Sequence, residues 1–452
     1  MVKDAHADDL RVNLSYRQIF SLASPITISI LIPQLNVLIN SIFLGALSKE
    51  ALANAGITAI YYLVFAISGS SLNNAMQTVF SRYAGSGRTS AFPTIMSQGI
   101  LIGLSLSILY MIFTWLAAPG ILEVFTDPKA FPEEMGFLNI RIVGLPFLFL
   151  FQIGNAFLVA SLNSRLLIFG FIMQAFVNII LDYLLIFGHY GFPKMGFNGA
   201  ALASVIAEGM GMITVFFVLG LTGLKAKYKL LDSFSYHKPF CFRILKVAIP
   251  LVFQNFVSIA TWLAFFLMIE SKGINAKAIS NTLRSVFGLA GIFIWAFAST
   301  TNVMVSNLLG QGLKDQIEKL VFRISMMSLL FSLVFVLLLN LYPELFFSLF
   351  NQDEAFVQEA IPVGRMVSLG LICMSFACIW FNAVTGTGKT RANLIIEIVS
   401  VICYIPYTWY VLVYRYSSLS LAWTNELVYW TVMFLLAFAY MKSGRWKREN
   451  RI

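Results

Sequence analysis

The residue best placed to do chemistry in this 452-residue chain is an aspartate inside an apolar run. Asp182 closes the segment Asn178-Ile-Ile-Leu-Asp182, and in a helix residues four apart share one face. A carboxylate beside an amide carbonyl can hold one monovalent cation, such as sodium, or exchange a proton. Ionisable groups in apolar spans are costly and usually functional. The competing expectation is an aspartate tied to a neighbouring helix by hydrogen bonds. Two amide pairs lie in the same half: Asn36 with Asn40, four apart, and Gln152 with Asn155, three apart. Each pair alone suits hydrogen bonding between helices. Together with Asn178 and Asp182 they fit a polar cavity better than unrelated bonding sites.

Other acids carry less. Glu208, Glu397 and Glu426 fall within apolar runs, either as lining of a substrate cavity or as structural pairs and groups that reach the membrane interface. Glu270 ends another run and is a candidate partner for Arg284. Metal and thiol chemistry have little support. The cysteines (Cys241, Cys373, Cys378, Cys403) are scattered without a C-x-x-C pair, and the histidines (His6, His189, His237) lie in tails or loops. No metal site is expected beyond a monovalent cation at Asp182, and no cofactor beyond the coupling ion. Ala383-Val-Thr-Gly-Thr-Gly388-Lys389-Thr390 imitates a phosphate-binding P-loop, but that loop needs a strand before it and a soluble α/β domain around it. Here Trp380 and Phe381 precede it in an apolar helical run, so a turn between helices is expected.

The elements that must position these groups follow from composition. The chain is 59% hydrophobic and 12% charged, with mean hydropathy +0.81, against about 25% charged in soluble domains. Apolar runs long enough to cross the bilayer as helices need about 20 residues, and the alternation of a membrane barrel is absent. Twelve spans are expected, with cores at 19–45, 54–80, 93–117, 137–160, 166–188, 199–221, 244–270, 278–308, 321–341, 356–384, 392–414 and 419–441. Asp182 then lies roughly 24 Å from the inner end of the fifth span, at 1.5 Å per residue.

The chain is also duplicated. Pro25, Ala51, Ala53, Gly85 and Gly87 recur as Pro250, Ala276, Ala278, Gly310 and Gly312, and Phe125, Ala130 and Phe131 as Phe350, Ala355 and Phe356. Half a chain is too long a period for a solenoid. In an apolar chain it suits a transporter made of two repeated bundles with a site at their interface. The fold expected is therefore all-α and integral to the membrane, with 12 transmembrane helices in two pseudo-symmetric six-helix bundles, residues 1–224 and 225–452. Asn40, Asn178 and Asp182 face Phe265, Tyr404 and Thr408 in the second copy, which places the ion chemistry mainly in the first and leaves the second as an apolar and aromatic wall.

Orientation follows from charge. With both termini in the cytoplasm, the inner segments, from Lys3 to Arg451, hold 22 of the 31 Lys and Arg residues, the positive-inside bias. Topology thus accounts for the +10 net charge, and no nucleic-acid partner is expected. The outer loops are acidic (Glu123, Asp127, Glu133, Glu134, Glu344, Asp353, Glu354, Glu359) and read chiefly as solvated residues, or as a means of concentrating cations. Residues 1–18 are polar and the first apolar run is too long for a signal core, so no cleavable signal is expected.

The chain resembles the MATE (multidrug and toxic compound extrusion) family. The resemblance rests on Leu22-Ala23-Ser24-Pro25, Leu44-Gly45, Arg82 with Gly85, Asn178 to Asp182, Ile186-Phe187-Gly188 and Gly191-Phe192-Pro193. It continues through Gly196, Gly199 to Ser204, Pro250, Gly310-Gln-Gly312, Gly386-Thr-Gly388 and Gly444-Arg445-Trp446. It implies two six-helix lobes around a cleft and alternating access, with export of organic cations coupled to entry of sodium ions or protons. Asn178 and Asp182 match the family's ion-coupling pair, Gln152 and Asn155 match polar cavity positions of the fourth span, and Ser204 matches a hydroxyl that joins the ion site. Two departures stand out. Asn40 occupies a position near the end of the first span that is usually acidic, and Ser258 and Met374 stand where some branches carry acids. The expectation is a monomeric antiporter of the bacterial-type inner membrane acting on small organic compounds. A flippase for lipid-linked precursors is the alternative, disfavoured by the scarcity of basic residues inside the spans. A membrane-embedded enzyme lacks the residue clusters it would need.

Overall fold

The computed structural model describes residues 10–232, 234–348 and 354–447. Lys3, His6, Phe350, Asp353, Arg448 and Arg451 lie outside them. The described residues are helical and contain no strand. A backbone surrounded by lipid must satisfy its own polar groups, and a helix does so within one segment. Twelve helices are long and apolar enough to span: α1 (Tyr16–Leu47), α2 (Lys49–Gly85), α3 (Thr89–Val124), α4 (Phe131–Ala160), α5 (Ser164–Phe187), α6 (Phe197–Leu221), α7 (Lys238–Glu270), α8 (Ile274–Gly310), α9 (Lys314–Leu341), α10 (Glu354–Gly386), α11 (Thr390–Tyr414) and α12 (Leu419–Lys442). Each expected core matches one of them, to within a residue at the end of α5. The protein is thus a multi-pass membrane protein, and its exposed apolar side chains, such as Leu116, Val124 and Leu221, face outward as lipid-facing residues do.

Several spans are interrupted in ways that place functional residues. In α4, helix Phe131–Arg141 passes through a 3-10 turn, Ile142–Gly144, into helix Leu145–Ala160, with Pro146 in the first turn of the second piece. Proline fits a first helical turn because its missing N–H is not needed there. In α12 the break follows Leu419–Ala422, and the helix resumes at Asn425. Helix α11 ends in a π-turn over Tyr410–Tyr414, four residues after Pro406. Helix α1 carries Pro25 and Pro33 in its interior, and each removes a backbone hydrogen bond from the helix.

The described residues form two compact units. The first contains residues 24–246 with Leu10, and the second residues 11–23 and 247–452. Compared with the sequence halves, the first turns of α1 count with the second unit and those of α7 with the first. In the first unit, Phe80, Phe92 and Phe157 are fully buried and meet edge to face, with ring centroids 5.4 to 5.7 Å apart, a favourable arrangement of ring quadrupoles. Helices α5 and α6 touch closely at Gly199, where a Cβ would lie 2.7 Å from the Leu185 carbonyl oxygen. In the second unit, Phe331 stacks with Phe20 and Phe293, and the Val12 N–H donates to Asn307 Oδ1 at 3.1 Å. Gly386 ends α10 where a Cβ would lie 2.7 Å from the Asn302 carbonyl oxygen, and Gly388 has φ +75°. The P-loop look-alike is therefore a tight turn after a helix, with no strand before it.

Two pairings differ from expectation. Glu270 forms an ion pair with Lys277. The nearer lysine wins, and the Arg284 guanidinium lies instead over the Phe266 ring, 5.3 Å from its centroid. Glu134, expected to be solvated, is buried, and Glu133 accepts a hydrogen bond from Asn54 Nδ2 at 3.0 Å.

Candidate functional site

In the first unit the polar residues of α1 and α5 converge. Asn178 Oδ1 accepts from Asn36 Nδ2 at 2.6 Å and from Asn40 Nδ2 at 3.3 Å. One face of α5 carries Asn178 and, one turn on, Asp182, both buried. The aspartate is not tied by hydrogen bonds: neither of its carboxylate oxygens has a partner among the described residues. The same holds for Asn36 Oδ1 and Asn40 Oδ1. Buried acceptors are nearly always paired. Four unpaired oxygens thus fall on two helices that Asn178 joins, with the Asn178 Nδ2 also unpaired, and carboxylate and carbonyl oxygens suit a cation or a proton.

Beside these amides lies a cavity of about 190 Å³, lined by Asn36, Asn40, Asn178, Ser204 and Glu208, with Arg141 from α4 among its other walls. Asn178 lines this cavity, whereas Asp182, one turn farther along α5, does not. The opposite polar wall is neutralised. Arg141 clasps Glu208 through two hydrogen bonds of 2.6 and 2.8 Å, Tyr62 donates to the same carboxylate at 3.0 Å, and the guanidinium lies 3.6 Å from the centre of the Tyr62 ring. A paired, forked contact of this kind fixes geometry as well as charge. Glu208 lines this cavity as half of an ion pair. Arg141 and Tyr62 did not emerge from the sequence. Opposite charges inside the cores 137–160 and 199–221 were the available signal.

Gln152 joins a separate network. Its Oε1 accepts from Asn73 Nδ2 at 2.9 Å, and Asn73 Oδ1 accepts from Gln77 Nε2 at 3.1 Å. Both partners lie on α2 and were not singled out in the sequence. Asn155 is buried with neither amide atom hydrogen-bonded among the described residues. Neither residue lines the cavity beside Asn178.

The second unit is not merely an apolar wall. Glu397 and Glu426 are both buried there, held by aromatic donors. Tyr429 donates to Glu397 Oε1 at 2.6 Å, Tyr404 to Glu426 Oε1 at 3.2 Å, and Trp430 Nε1 to Glu426 Oε2 at 2.9 Å. Thr408, the counterpart of Asp182, accepts from Asn425 Nδ2 at 3.3 Å. Aligning the halves compared Asp182 only with Thr408; Glu397 and Glu426 were visible in the sequence as acids, but not the aromatic donors that hold them.

Comparison with known proteins places this geometry in context. The model of the MatE family matches residues 25–184 and 250–410, most of both halves. The chain is 22% identical over 440 residues to the probable multidrug resistance protein NorM of Thermotoga maritima, covering 96% of this chain and 93% of the relative. It is also 22% identical over 376 residues to the multidrug resistance protein NorM of Aliivibrio fischeri, covering 83% and 80%. Its fold is that of a solved MOP superfamily transporter from Pyrococcus furiosus, at TM-score 0.88 and 17% identity over 99% of this chain and all of the other (100%). A solved outward-facing multidrug resistance MATE family transporter matches with TM-score 0.87 and 17% identity over 98% of this chain and 100% of the other.

Proposed function

Because the chain belongs to the MatE family, we propose that it is a secondary active antiporter. It exports small organic compounds, cationic or amphipathic, in exchange for sodium ions or protons by alternating access. It is a transporter and not an enzyme. The multidrug resistance names of its relatives support the substrate class. The observation that carries the reading is the group of four unpaired buried oxygens on Asn36, Asn40 and Asp182. A sodium ion would be held by Asp182 with the amide oxygens, and a proton by Asp182 alone. Asn40, in place of an acid, leaves one carboxylate to carry the exchange, so a single monovalent charge per cycle is the natural stoichiometry at this site.

Ser204 is assigned to polar lining of the cavity beside Asn178, Glu208 to a substrate-facing ion pair, and Gln152 and Asn155 to polar positions of the first lobe outside that cavity. The lobes 1–224 and 225–452 are the proposed moving halves of a monomer with both termini in the cytoplasm and the bilayer of a bacterial-type inner membrane around it. No cofactor is required besides the coupling ion. A flippase for anionic head groups is not favoured, because Glu208 already neutralises Arg141 in the cavity wall.

Efflux from proteoliposomes, with sodium and proton gradients imposed separately, tests the assignment. Asp182→Asn is expected to abolish gradient-driven efflux while the protein stays folded and monodisperse. Undiminished efflux in that variant would overturn the site, and the gradient that drives the wild-type protein identifies the ion.

A further inference from the structure

The second unit carries a pair of acids for which the first-unit exchange site has no use. Glu397 of α11 and Glu426 of α12 are buried, and neither forms an ion pair among the described residues. A buried carboxylate without an ion pair is strongly disfavoured as a charge in a low-dielectric core, and the usual resolution is that it holds a proton.

The two acids are not equivalent. Both oxygens of Glu426 accept hydrogen bonds, from Tyr404 and Trp430, and the residue sits in the first turn of the helix that resumes at Asn425. Donors and a helix N-terminus both suit a negative charge. Glu397 has one oxygen bound by Tyr429, while Oε2 has no partner among the described residues. The Ser258 hydroxyl of α7 lies 3.4 Å from the Tyr429 hydroxyl, which extends the network by one member. The Tyr404 and Tyr429 rings meet edge to face at 5.6 Å and join the two acids through their donors. The other titratable group facing Glu397 is the Cys378 thiol of α10. Among the described residues, no lysine, arginine or histidine takes part. A metal ion is poorly served, since three of the four carboxylate oxygens are already occupied by O–H or N–H donors.

We propose that Glu397 and Glu426, bridged by Tyr404 and Tyr429, form a second protonation site, with the exchangeable proton on Glu397 Oε2 and the charge on Glu426. The proton is taken from water when the site opens and returned to water on the other side, so no other reactant is needed. The site rests on the antiporter reading only for its role in transport; proton binding itself can be read without any substrate.

The test is infrared difference spectroscopy of the purified protein between acid and alkaline pH, following the carbonyl band of protonated carboxyl groups. Measurements begin from Asp182→Asn, so that the first site is silent. A band is expected to remain in that variant, to vanish on adding Glu397→Gln, and to persist on adding Glu426→Gln. Tyr429→Phe, which keeps the ring, is expected to shift the band without removing it. Persistence of the whole band in Asp182→Asn with Glu397→Gln overturns the proposal. So does an unshifted band in Tyr429→Phe, which covers the case in which the glutamine variant does not fold. In proteoliposomes, Glu397→Gln alone is expected to weaken the dependence of efflux on the proton gradient. An unchanged dependence, with Asp182→Asn inactive, would overturn the role of this site in transport and leave the first standing.

Discussion

At the scale of single residues, the pair Arg141 and Glu208 is the sharpest stability test. Truncating one member of a buried pair strands the other charge, and Glu208→Ala is expected to cost about 3–5 kcal/mol. Replacing both members by apolar residues of similar volume should recover most of that loss. Thermal unfolding in detergent checks both, and a single variant as stable as the wild-type protein would mean that the pair is not desolvated. Residues were legible in the sequence where their chemistry was out of place. Asp182 and the amides stood out because a polar group in an apolar run has few explanations. Asn73, Gln77 and Tyr62 did not, because their roles depend on which helix lies opposite. The sequence holds the group but not its partner. Glu397 shows the same limit: it was visible as an acid, but the tyrosine that holds it comes from a different helix.

At the scale of helices, the twelve spans were legible almost to their ends, because bilayer thickness and backbone satisfaction leave little freedom. Their interruptions were less so. The break in α4 has a local signal in Pro146, but the break at Trp423 and Thr424 is held by tertiary contact, with Trp423 Nε1 donating to Ser280 Oγ at 3.2 Å. Close contacts between helices are likewise set by pairs of helices. Gly199 is an ordinary residue in sequence and a contact point in structure, since a side chain there would strike the backbone of α5. Gly199→Val is expected to destabilise the protein by about 1–3 kcal/mol through overpacking, read as a lower thermal midpoint. Unchanged stability would show that α5 and α6 can separate freely at that point.

At the scale of the whole molecule, orientation is the property to test, because it was read from charge alone. In a cysteine-free background, Glu123→Cys is expected to react with a membrane-impermeant thiol reagent in intact cells, and Arg165→Cys only after permeabilisation. The reverse pattern would invert the topology. The duplication visible in the sequence is a duplication of backbone plan. It did not predict that each compact unit would keep buried acids of its own, Asp182 in one and Glu397 with Glu426 in the other, at positions that do not correspond.

The division of the compact units also bears on how the protein is made. The segment 11–23 leaves the ribosome well before residues 247–452, yet it belongs with them in the second unit, and its Val12 hydrogen bond reaches across 295 positions to Asn307. Helix α1 must therefore enter the membrane and wait, its first turns lacking their final neighbours until α8 and α9 have been synthesised. A nascent chain released after α6 would hold every residue of the first exchange site and still leave its opening segment unclaimed. Such an intermediate is a natural substrate for quality-control proteases.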